Sequence, residues 1–130
     1  MSAKTSAHIT ASILYWVVVF QLFVVFGAPL GRYTQGGQTE GALPTSGRFF
    51  AFISAILLLT MAFSVLALAK EGPLKNLNAV LVRRMAWFTA IYSAIGTVMN
   101  LASRSAAERP WAAITLAVFA LTYRTLKLTK

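Results

Sequence analysis

Glu40, Glu71 and Glu108 are the only carboxylate side chains in this sequence, His8 is its only imidazole, and it contains no Asp or Cys. A Ser-His-Asp relay needs a carboxylate to orient its imidazole. Without Asp, and with His8 at the opposite end of the chain from Glu108, no such set is expected. The absence of Cys removes thiol catalysis, disulfides and thiolate ligands. No grouping of His and Glu has zinc-ligand spacing, so neither a metal nor another cofactor is expected. The segment Gly37–Pro44, GQTEGALP, lacks the G-K-[ST] ending and the preceding strand of a phosphate loop. Its Gly36-Gly37 pair reads first as a turn.

Two other stretches hold most of the remaining chemistry. GAPLGRYTQGGQTEGALPTSGR spans Gly27 to Arg48 and carries six of the eight glycines. NLASRSAAERPW spans Asn100 to Trp111. Together they bring Arg32, Arg48, Arg104 and Arg109 near Glu40 and Glu108. One reading is structural. Arg48 and Arg109 anchor helix ends at lipid headgroups, while Arg32 pairs with a glutamate and Arg104 with Glu108. At i,i+4 on an exposed helix such a pair contributes about 0.3–0.5 kcal/mol. The other reading is an anion-friendly site for a ligand or partner, built from Arg32, Glu40, Arg104 and Glu108. As acid–base groups, Glu40 and Glu108 have no separation or pKa fixed by sequence.

A third cluster lies in an apolar run. Thr89, Ser93, Gly96, Thr97, Asn100 and Arg104 step by three or four and share one helix face. Small and hydroxyl residues let helices approach closely in lipid, and Asn100 is suited to bonding across such an interface. The face is therefore a packing seam or, alternatively, a polar pathway. Gln21 sits deep in the first apolar run and needs a partner there.

The elements that must position these groups are long and apolar. The chain has 130 residues, 58% hydrophobic and 12% charged. Soluble domains are roughly 45–50% apolar and 25% charged. A helix crossing a hydrocarbon core needs about 20 apolar residues. Spans are expected at 9–28, 49–69, 85–102 and 111–126, with loops at 29–48, 70–84 and 103–110. The fourth is short and contains Arg124, which can snorkel to the headgroups with Lys127. The first has a thin basic end and no convincing cleavage site, so it is read as a retained span and not a signal peptide.

Lys and Arg set the orientation. Eight lie in the N-terminal tail, the 70–84 loop and the C-terminal end, against four in the other two loops. The excess places both termini in the cytoplasm. Trp87 and Tyr123 then belong to the inner interface, and Tyr33 and Trp111 to the outer one. The net charge of +9 is explained by this topology and by anionic headgroups as partners, and nucleic acid is not expected. In the 70–84 loop, Leu74, Leu77 and Leu81 recur at amphipathic spacing after Pro73. That segment either lies on the inner leaflet or is an early start of the third helix.

The predicted fold is an all-α, four-transmembrane-helix bundle. No ionisable residue falls at mid-membrane in the first three spans, which weighs against a proton-driven pump or voltage sensor. The pairing of GAPLGRYTQGG and GALP after the first span with NLASRSAAERPW before the last resembles a group of small four-span bacterial membrane proteins of unassigned function. That resemblance implies a bacterial inner membrane and carries no activity. The first functional expectation is an accessory, assembly or binding subunit acting without catalysis in a homo-oligomer or larger membrane complex. The second is a homo-oligomeric channel or carrier for a neutral or anionic solute. The third is a membrane enzyme using Glu40 or Glu108 on a lipid-linked substrate.

Overall fold

The computed structural model describes all 130 residues as four helices joined by loops. Helix α1 runs Ala3–Val25, α2 Thr45–Leu68, α3 Ala79–Ala102 and α4 Trp111–Leu128. Each of α1, α2 and α3 is long and apolar enough to cross a membrane. Helix α4 has 18 residues.

Local signals explain where the helices start. Helix α1 begins ahead of the apolar run at Ile9, because the Ser2 hydroxyl accepts from the Thr5 backbone N–H at 3.1 Å. Pro44 and Pro110 directly precede α2 and α4, where no intrahelical N–H is lost. Asn78 Oδ1 accepts from the N–H groups of Val80 and Leu81 at 2.9 and 3.3 Å and opens α3. Of the two readings of residues 70–84, the structure has the early helix, starting at Ala79. Pro73 to Asn76 form a turn, so the periodic Leu74 and Leu77 precede the helix that holds Leu81. The Asn78 cap starts the helix after them.

Successive helices are neighbours. Helix α1 packs on α2 and on α4, α3 packs on α4 and on α2, and α2 barely touches α4. The result is a four-membered ring. The half nearer the termini is filled by apolar side chains, among them Ala7, Ala11 and Leu14 of α1, Met61 and Val65 of α2, and Val118 of α4. The alanines allow the backbones to approach closely. Helix pairs are also tied by hydroxyls. Ser6 and Thr125 Oγ atoms are 2.7 Å apart between α1 and α4. Those of Ser64 and Thr89 are 3.3 Å apart between α2 and α3. Thr97 and Thr115 meet at 2.9 Å between α3 and α4.

Large apolar side chains face outward: Phe49, Phe50 and Ile53 on α2, and Ile91, Ile95 and Val98 on α3 are all exposed. Water makes such a surface costly, whereas lipid solvates it. Most hydroxyls inside the helices donate to a carbonyl of their own preceding turn, as Thr10 does to Ser6 and Thr89 to Met85. This satisfies them without water. Two buried polar atoms have no partner, Thr122 Oγ1 and Gln21 Oε1.

Candidate functional site

At the end of the bundle opposite the termini, the 29–44 and 103–110 loops dock on one another. Glu108 is the centre of that contact. It is 9% exposed. Its Oε1 accepts the Gly36 N–H at 2.9 Å, and its Oε2 accepts the Ser103 hydroxyl at 2.8 Å. Ser105 Oγ donates to the Arg32 carbonyl at 3.2 Å, and Trp111 Nε1 to the Tyr33 carbonyl at 2.8 Å. Phe20 of α1 meets the Trp111 ring edge-on at 4.9 Å. Gln35 Nε2 donates to the Gly47 carbonyl at 2.7 Å, pinning the first loop to the start of α2.

The expected arginine–glutamate pairs do not form. The chain's one ion pair is Lys4–Glu71, at the other end of the molecule. The reason is local. Helix α3 ends at Ala102, so Arg104 and Glu108 never share a helix face. Glu108 instead faces the N–H and hydroxyl donors. Arg32, Glu40 and Arg104 are all exposed. Arg48 and Arg109 act as caps: their Nε atoms donate to the carbonyls of Val25 and Ser103, at 2.7 and 3.1 Å, where α1 and α3 end.

Beneath the docked loops lies a cavity of about 400 Å³, within the usual range for small-molecule sites. Side chains from all four helices line it. Gln21, Asn100 and Glu108 are brought together here, with Gly96 on the α3 wall and Trp111 and Thr115 on the α4 wall. Arg32, Glu40 and Arg104 do not line it. Asn100 bonds within its own helix, its Nδ2 donating to the Gly96 carbonyl at 2.8 Å. This corrects its expected role as a bridge between helices. The α3 seam divides. Thr89 and Ser93 are buried, and Thr89 meets α2. Gly96 and Thr97 face Thr115 of α4.

Sequence reasoning missed Gln35, Ser105 and the clamp made by Trp111. Trp111 stood out only as an interfacial aromatic. Its indole bond joins residues 78 apart in the chain, a pairing no local pattern signals. Chemically, the site holds one carboxylate, three primary amides and four aromatic side chains. No family model matches this chain, and no curated protein or solved structure matches it significantly.

Proposed function

We propose that this chain is a four-span bacterial inner-membrane protein that acts as a binding or accessory subunit without catalysis. Both termini lie in the cytoplasm in this reading, and the docked loops face outward. The observation that carries it is the roofed cavity beneath Glu108. Gln21 lines that cavity and keeps a buried amide oxygen without a partner. A buried polar atom of this kind costs free energy, and a turn of the Gln21 amide toward a bound molecule would recover it.

The carrier reading needs several copies of the chain. The half of the bundle nearer the termini is packed with Leu14, Met61, Val65 and Val118, so passage through one chain would require that core to open. The enzyme reading keeps only Glu108, since Glu40 stands exposed and outside the cavity.

Native mass spectrometry of the full chain, extracted from its membranes in mild detergent, tests the proposal. A stoichiometric bound molecule or a partner protein is the expected result. A bare monomer with neither overturns it.

A further inference from the structure

The cavity walls have a definite chemical bias. No Lys, Arg or His lines them, and Glu108 is their only ionisable acid. Each oxygen of that carboxylate accepts one hydrogen bond, from Gly36 or Ser103. A carboxylate oxygen accepts about two, so capacity remains. No cation lies within 4.0 Å of it, since the one ion pair is elsewhere. The Asn100 and Gln35 amides have each committed an N–H to a backbone carbonyl, of Gly96 and Gly47. Each keeps its carbonyl oxygen and a second N–H. Thr115 donates to its own helix, to the Trp111 carbonyl at 3.1 Å. Four aromatic side chains, Phe20, Tyr33, Tyr92 and Trp111, complete the wall.

Aromatic side chains and one carboxylate without a cationic partner together favour a cation. Ring faces attract ammonium groups, and the carboxylate supplies the countercharge. The exposed arginines of the loops project into solvent, where ions screen them. We infer that the cavity beneath the loops binds an ammonium group, carried by a free organic amine or by a lipid headgroup. This inference rests on the binding-subunit reading and names its ligand class. It differs from the neutral or anionic solute of the carrier expectation.

Calorimetric titration of the full chain in maltoside micelles tests it, using choline and its uncharged isostere 3,3-dimethyl-1-butanol as probes. The expected result is saturable choline binding at one site per chain. The isostere binds at least about tenfold more weakly, the scale of a desolvated cation–π and charge contact. Glu108→Gln weakens choline by a similar factor. The wild-type pair of titrations decides the matter even where that substitution undocks the loops. Repeating the choline titration in phosphatidylethanolamine nanodiscs and in phosphatidylglycerol nanodiscs separates the sources. Competition by the ethanolamine lipid alone supports a headgroup, and equal binding in both supports a free amine. No choline binding in micelles, or equal affinity for the isostere, overturns the inference. Either result leaves the binding-subunit reading to native mass spectrometry, which detects a bound mass of any charge.

Discussion

Gly37 shows how one residue holds the roof of the cavity. Its φ is +68°, a conformation that side chains adopt only at a cost. A Cβ there would also overlap the Ser105 side chain and come within 2.8 Å of the Arg32 carbonyl. Gly36 shares the positive φ, at +88°, yet a Cβ on it would meet nothing within 4 Å. The two positions therefore separate backbone strain from steric exclusion. Gly37→Ala is expected to destabilise the chain by roughly 1–3 kcal/mol, and Gly36→Ala by less. Thermal unfolding in maltoside, followed by circular dichroism, measures both. Equal losses would mean that the close approach to Ser105 contributes nothing.

Helix ends are where the elements are fixed to one another. Lys4 Nζ, in the first turn of α1, lies 2.7 Å from Glu71 Oε1, just past the end of α2. The Lys4 hydrogen bond, followed by its charge, holds the Glu71 carboxyl below its ordinary value, with His8 and Lys75 adding smaller contributions. A carboxylate whose folded pKa is depressed stabilises the fold above its unfolded pKa. It loses that contribution as pH falls through the folded value. Glu71→Gln is thus expected to melt slightly below wild type at neutral pH. The two curves should converge in acid, below the ordinary carboxylate range. The effect is small because the pair is exposed to solvent. A gap that persists unchanged into strong acid would show that the side chain acts through something other than its charge. Helix starts were only partly legible. The long apolar runs marked the helices themselves, whereas the capping roles of Ser2 and Asn78 rest on their bonds to Thr5, Val80 and Leu81.

At the scale of the molecule, the bundle has two unlike halves. Alanines and branched side chains fill the half nearer the termini, and the other half is hollow beneath two docked loops. Aromatic clusters mark both ends, with Trp87 against Tyr123 at one and Phe20 against Trp111 at the other. The excess of basic residues at the end bearing the termini predicts that this end faces the cytoplasm. The chain has no native Cys, so single-cysteine labelling reads orientation without background. A membrane-impermeant maleimide added to intact cells is expected to label Thr39→Cys and to leave Asn76→Cys and Lys130→Cys unmodified until the cells are opened. Labelling of position 130 in intact cells would reverse the assignment.

By itself, the sequence determined the class of the protein. Long apolar runs with scarce charge can form only helices where no water is present to satisfy the backbone, and that constraint is local to each run. It also located the two loops that carry chemistry, because glycines, prolines and arginines collect there. Only the tertiary structure decided what those loops do. In the structural reading, i,i+4 spacing paired Glu108 with Arg104, but the end of α3 at Ala102 separated them and gave Glu108 to Gly36 and Ser103. The sequence offered Arg32, Glu40 and Arg104 beside Gln21, Asn100 and Glu108, whereas the fold leaves the first three exposed and gathers the last three around one cavity. Those three come from α1, α3 and a loop, and their convergence depends on how helices pack and where loops close. Both are long-range consequences that residue type and spacing do not encode.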